Sequence, residues 1–301
     1  YGASRIGVFL GTSTAGILEI EQAWRRRGAD GSLPSDFDYA GTQSTFSIAD
    51  LVMAVLGVSG PALVVSAACA STTKVFATAA RMIETGLCDA AVVGGSDSLC
   101  LTTLYGFNAL QLLGAGPCRP FDAAREGLSL GEAAGFALLE RADRATDLLV
   151  LGVGESSDAH HMSAPHPDGA GAALSMARAL AAAGLRPDQI DYINLHGTAT
   201  RIGDAAEDQA VVSLFGDGTP CSSTKGHTGH TLGASGIIEA VISALAIREA
   251  IIPGSPHTEG RDPDMRCRYV TVPQPVRIDR VLSNSFGFGG SNASLILGRA
   301  P

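Results

Sequence analysis

Short apolar runs along the chain alternate with stretches whose apolar residues recur every three or four positions, separated by small and polar turns. The first run, residues 5–10 (RIGVFL), reads as a strand closed by Gly11-Thr12-Ser13. A helix is expected over about residues 16–27, then a loop over residues 28–39, rich in Gly, Pro, Ser and Asp. A helix at 47–56, a break at 57–61 and a buried strand at 62–65 follow. The next helix runs to Glu84, with Gly86 as its terminating glycine. Residues 90–93 read as a strand stopped by Gly94-Gly95, residues 101–113 as a helix and residues 114–128 as a loop. Residues 132–140 (EAAGFALLE) are expected as a strand although Ala and Leu favour helix, with residues 148–155 pairing beside it. A polar, Pro- and Gly-bearing stretch covers 156–169. Helices are then expected at 172–183, 205–214 and 233–249, and strands at 190–195, 281–285 and 293–298.

Strands alternating with helices predict an α/β fold with largely parallel sheets. The two halves echo each other: each has a buried strand, a reactive residue, a helix and another strand. The pattern predicts a duplicated core, divided into residues 1–155 and 156–301, with the functional site between the copies.

Composition narrows the function classes. The 301 residues are 46% hydrophobic and 17% charged, with 37 glycines, which is the composition of a globular enzyme with a large core. A net charge of -9 argues against nucleic acid as a partner. No window reaches the roughly 18 uninterrupted apolar residues of a membrane span, and the residues after Tyr1 do not read as a secretory signal. The cysteines at 69, 88, 100, 118, 221 and 267 form neither a CxxC pair nor a metal-ligand spacing. Reduced thiols in a cytoplasmic protein are expected, with no metal and no resident cofactor.

Four stretches carry candidate chemistry. In Val64-Val65-Ser66-Ala67-Ala68-Cys69-Ala70-Ser71-Thr72, Cys69 sits at a strand-to-helix turn. Free amides and the macrodipole at a helix start favour a thiolate there, so helix and turn are expected to suffice for the nucleophile. Small neighbours leave room for a substrate. In Asn194-Leu195-His196-Gly197-Thr198-Ala199-Thr200, His196 follows a buried strand, and Thr198 and Thr200 offer hydroxyls. The stretch 223–234 places Lys225, His227 and His230 in a glycine-broken loop before a helix. His230 is expected to be neutral there; His227 reads as a solvated loop residue. The stretch 283–292 (SNSFGFGGSN) offers exposed amides and the aromatic rings of Phe286 and Phe288, but fits neither common phosphate-binding glycine motif. One thiol, two neutral histidines and a lysine match a decarboxylative condensation. A thiolate accepts an acyl group, two N–H donors hold an enolate, and backbone amides hold an oxyanion.

These four stretches, in this order and separation, resemble the β-ketoacyl-[acyl-carrier-protein] synthases of the elongating class, over nearly the whole chain. The resemblance implies a thiolase-like αβαβα fold and condensation of malonyl-ACP with a Cys-bound acyl chain in fatty-acid or polyketide and polyene elongation. It implies Cys69 as acyl acceptor, His196 and His230 acting on the malonyl thioester, and Lys225 supporting His230. Glu207 would hold the Lys225 loop, and Thr198 and Thr200 would contact the phosphopantetheine arm. Phe288 would gate the pocket, its amide joining that of Cys69 in the oxyanion hole. His161 would lie in the pocket wall or carrier channel, and Arg25–Arg27 and Arg119 are candidates for receiving the acidic carrier protein. The implied partners are acyl carrier protein and a second subunit, identical or related. The alternative is a non-condensing, chain-length-determining partner subunit, against which the presence of Cys69 and both histidines weighs. The family has roughly ninety further residues before the position of Tyr1. Without them the first half is expected to lack a central strand and to be poorly stable alone.

Overall fold

The computed structural model describes residues 1–142 and 148–299. The first half runs β1 (Ile6–Gly11), α1 (Ile17–Arg25), α2 (Ser47–Leu56), β2 (Ala62–Val65), α3 (Ser71–Glu84), β3 (Ala90–Asp97), α4 (Leu101–Ala109) and β4 (Ala133–Glu140). The second runs β5 (Leu149–Ser157), α5 (Ala170–Ala183), β6 (Tyr192–Asn194), α6 (Arg201–Phe215), β7 (Pro220–Ser222), the single turn α7 (Lys225–Thr228), α8 (Ser235–Glu249), β8 (Ile251–Ile252), β9 (Arg268–Tyr269), β10 (Gln274–Pro275), β11 (Arg280–Gly287) and β12 (Ser291–Gly298).

Two main sheets form, in the orders β2-β1-β3-β4 and β5-β12-β11-β6-β7-β9, besides a small β8–β10 ribbon. Within each main sheet the central pairs are parallel and the last hairpin, β3–β4 or β11–β12, is antiparallel. Reading β7-β6-β11-β12 against β2-β1-β3-β4 gives the same order and directions, so the core is duplicated as the sequence echo predicts. Helices α3 and α8 pack on each other between the sheets; α2 covers the first sheet, and α5 with α6 covers the second. This is the five-layer αβαβα arrangement.

The strand at 133–140 forms despite its helix formers because its burial alternates residue by residue. Its inward face meets α8: a Cβ at Gly135 would touch Ile237 and Ile238 at 3.2 Å. The expected pairing of residues 148–155 with this strand is wrong. That segment, β5, pairs antiparallel with β12 in the second sheet, so the division at 155/156 falls inside a strand. Periodicity reveals a strand but not its partner. Among the described residues, β5 has no counterpart in the first sheet. The open position is therefore beyond β4 at the sheet edge, not in the centre as expected; on the face of β4 turned away from α8, Phe136 is 46% and Leu138 59% exposed. Smaller differences lie at element ends: α6 begins four residues earlier than predicted, at Arg201, and α4 ends four earlier, at Ala109.

Asp97, buried at the end of β3, ties the halves together. Its carboxylate accepts hydrogen bonds from the Thr12 hydroxyl (2.6 Å), the Ser13 hydroxyl (2.6 Å) and the Thr14 amide (2.9 Å). It also accepts one from the Gly233 amide across the domain (2.6 Å). Asp97→Ala would strand at least two buried amides, each costing ~1–3 kcal/mol. Urea denaturation is expected to show a loss of about 3 kcal/mol, with the slope unchanged.

Candidate active site

The duplication builds the site. The β2-to-α3 turn carries Cys69, and the equivalent β7-to-α8 connection carries Lys225 and His230. Because α3 and α8 pack together, their starts converge. Ala68 takes a left-handed backbone (φ 47) to make the Cys69 turn, a strained conformation for a residue with a Cβ. The turn is braced by the Ser71 hydroxyl, which accepts from the Ala67 amide at 2.9 Å and donates to the Ala68 carbonyl at 2.6 Å.

Cys69 is 6% exposed, and its sulfur lies 2.9 Å from His230 Nε2. His230 is oriented from behind by Ser235 Oγ, 2.9 Å from Nδ1. The His196 ring packs edge-on to His230, centroids 5.3 Å apart. Burial, reinforced by the Lys225 charge, drives both imidazoles well below the usual histidine range, so both are neutral as expected. The expectation for Cys69 fails. Burial pushes the thiol up to about 12, outweighing the Lys225 charge and the amides of Phe288 and Cys69 that face the sulfur. The helix start does not make the thiolate unaided.

Glu207 does not hold the Lys225 loop. Its carboxylate accepts the amides of His196 and Gly197, both at 2.8 Å, and the Asn284 side-chain amide at 3.1 Å, so it fixes the His196 turn. Burial raises Glu207 to about 7 against the pull of those donors. Lys225 instead pairs with Glu239 on α8, both side chains buried. Glu239 is absent from the sequence-level site, yet it is the lone acid in the apolar run 236–247 of a core helix, and that was its signal.

A cavity of about 380 Å³ reaches Cys69, His196 and His230 from a rim that includes exposed Arg201 and Ile202. Thr198 and Thr200 line it, with their hydroxyls 3.0 Å apart. Phe286 and Phe288 also line it, Phe286 lying 5.7 Å from the His196 ring. Phe288 stacks on Phe107 of α4 at 5.4 Å, an aromatic partner the sequence did not mark. The 287–290 turn comes this close only because Gly287 lacks a side chain: a Cβ there would meet the Ala67 carbonyl oxygen at 2.9 Å and the Cys69 nitrogen at 3.2 Å. His161 is not in the wall. It is exposed, its Nδ1 accepts the Ser163 amide at 3.2 Å, and its neighbours Ser163, Ala164 and Pro165 line the cavity in its place. His227 is exposed, as expected. Arg25–Arg27 are exposed, Arg27 lying over Trp24, and Arg119 approaches Glu126 on the cavity lining. All six cysteines are free, and no described helix is long and apolar enough to cross a membrane.

Comparison with known proteins agrees with this geometry. Residues 2–145 match the N-terminal domain of β-ketoacyl synthases, and residues 149–259 match the C-terminal domain. The chain is 40% identical over 261 residues to a mitochondrial 3-oxoacyl-[acyl-carrier-protein] synthase of Arabidopsis thaliana, covering 80% of this chain and 57% of that protein. It is 34% identical over 312 residues to 3-oxoacyl-[acyl-carrier-protein] synthase 2 of Staphylococcus aureus, covering 98% of this chain and 77% of that one. A Xenorhabdus doucetiae ketosynthase, solved in complex with its chain length factor, superposes with a TM-score of 0.92 at 41% identity, covering 100% of this chain and 76% of its own. The matches span both halves and the site between them, and the chain belongs to the β-ketoacyl synthase family of the thiolase superfamily.

Proposed function

We propose that the protein condenses malonyl-ACP with an acyl chain carried on Cys69, extending a fatty-acid or polyketide-type chain by decarboxylative Claisen chemistry. The observation that carries this reading is the Cys69 sulfur 2.9 Å from a neutral His230, beside a second neutral histidine at the end of one cavity.

The first step is acyl transfer. The thiol is neutral at rest, so His230 takes its proton as the sulfur attacks the thioester carbonyl. The amides of Phe288 and Cys69 face the sulfur and hold the oxyanion as the new S–C bond forms. The bond to pantetheine sulfur breaks, and the proton leaves on that thiol. In the second step malonyl-ACP loses CO2. A ring N–H of His196 holds the enolate oxygen, joined by His230 once its proton has moved to Nε2 with the Ser235 hydroxyl donating to Nδ1, while the enolate carbon attacks the acyl carbonyl. The C–C bond forms as the Cys69 S–C bond breaks, the β-ketoacyl product leaves on its carrier, and the Cys69 thiolate takes a proton from solvent. Thr198 and Thr200 contact the pantetheine arm, while Phe288, released from Phe107, gates the acyl end. Phosphopantetheine enters as part of the carrier substrates, and the protein needs no resident cofactor.

An acyl carrier protein is the first partner. The second is another subunit, identical or related. Exposed Leu51, Val55 and Leu56 on α2 and Leu63 on the free edge of β2 support a contact there. The similar ketosynthase solved with its chain length factor supports a related subunit as one form of it. The reading places the activity in the cytoplasm, where the six free thiols stay reduced.

Incubation with acyl-ACP should give one acyl adduct, mapped by mass spectrometry to Cys69 and absent from Cys69→Ala. His196→Ala should retain acylation within about threefold while condensation falls ~10²–10³-fold, the cost of one oxyanion donor. His230→Ala should slow both steps, because its ring takes the Cys69 proton. The thiol's rise to about 12 predicts that carbamidomethylation of Cys69 by iodoacetamide keeps accelerating between pH 8 and pH 10. An ordinary cysteine levels off above about 8.5.

A further inference from the structure

Cysteine spacing along the chain offers no metal motif, yet the fold assembles three ligands. The Cys69 sulfur and one ring nitrogen from each of His196 and His230 lie within 4.8 Å of one another, all three side chains buried. Among the described residues, no other three His, Cys, Asp or Glu side chains come close enough to share an ion. A zinc ion held by one thiolate and two imidazoles sits about 2.3 Å from sulfur and about 2.0–2.1 Å from each nitrogen, which sets sulfur and nitrogen about 3.5 Å apart. The Sγ–Nε2 pair at 2.9 Å opens by about 0.6 Å to hold the ion, and pairs lying out to 4.8 Å close by up to about 1.3 Å. Ser235 Oγ on His230 Nδ1 supplies the outer hydrogen bond that orients a ligating imidazole. The nearest buried cation, Lys225, is already paired with Glu239. All three side chains line the cavity, so a cation can reach them from it.

We propose that Cys69, His196 and His230 form a reversible site for zinc or another thiophilic divalent cation, whose occupancy silences the nucleophile. Binding exchanges the S–H bond for an S–Zn bond. The proton passes to buffer, no electron is transferred, and a chelator reverses the step. The inhibitory consequence rests on the proposed acyl transfer, whereas the binding itself does not.

The test uses the full protein, stripped with a chelator and titrated with Co2+ as a spectroscopic probe. One equivalent should produce a near-ultraviolet thiolate-to-cobalt charge-transfer band with the visible bands of a tetrahedral site, and Zn2+ should displace it. Carbamidomethylation of Cys69 by iodoacetamide should erase the band without any substitution, and Ser235→Ala should weaken Co2+ binding about tenfold. Zinc-loaded protein should resist acylation until the metal is chelated. Cobalt bound without the charge-transfer band overturns the proposal. So does a band that survives carbamidomethylation, since the ion is then held elsewhere, for instance by His160 and His166, whose rings lie 5.0 Å apart. A cobalt band in a protein that never forms an acyl adduct upholds the metal site and removes the condensation reading. An adduct without a cobalt band does the reverse.

Discussion

Burial of one sulfur atom against one imidazole is the constraint on which the site depends. A helix N-terminus offers an anion ~0.3–1 kcal/mol, and up to ~2 kcal/mol in partly buried settings. The rise of the Cys69 thiol to about 12 corresponds to about 4 kcal/mol against its ionised form. Desolvation wins, and the proposed acyl transfer therefore calls for a proton acceptor within hydrogen-bond reach of the thiol. His230 meets that need only because it is itself buried and neutral, held by Ser235 and kept from protonating by its surroundings and Lys225. The charge of Lys225 is in turn tolerable in the interior because Glu239 lies against it. Each group makes the next one possible, and all of them descend from the packing of α3 on α8.

That packing explains why so much of the fold and site was legible in the chain. Reactive residues sit in turns between buried strands and helices, and such turns are written locally, in glycines and small residues. Cys69, His196, Lys225, His230 and the 283–292 turn were found this way, and the structure brings them together. What stayed hidden depends on contacts distant in sequence. Glu207 and Glu239 are both buried acids on helices, and only three dimensions decide which of them reaches Lys225. Phe107 looks like any apolar helix residue until Phe288 stacks on it. His161 sits in a segment that does form the cavity wall, but its own ring turns to solvent and to the Ser163 amide. The state of Cys69 was misjudged because helix position is visible in sequence while solvent exclusion is not.

Strand partnership was the other illegible element. Residues 149–157 have the composition of a sheet strand wherever they go, and chain proximity favoured β4 as their neighbour. The duplicated order places them instead on β12, at the outer side of the second antiparallel hairpin. The same order leaves the corresponding edge of β4 unpaired among the described residues. One comparison between the two sheets thus accounts for both the misplaced strand and the unpaired edge of β4.

The β5–β12 pairing also constrains how the molecule assembles. Leu149 lies opposite Gly298, so the two strands that meet are among the first and last of the second half. During synthesis β5 emerges long before its partner, and the sheet cannot close until residues 291–298 have left the ribosome. Helix α5, which packs on β5, can shield one face in the interval, but the edge stays unpaired. Contacts of this sequence separation slow folding through loop-closure entropy and lengthen the time an apolar strand spends available to neighbours. The turn that carries Phe288 lies immediately before β12, so the lining of the cavity and the closure of the sheet are completed by the same stretch of chain.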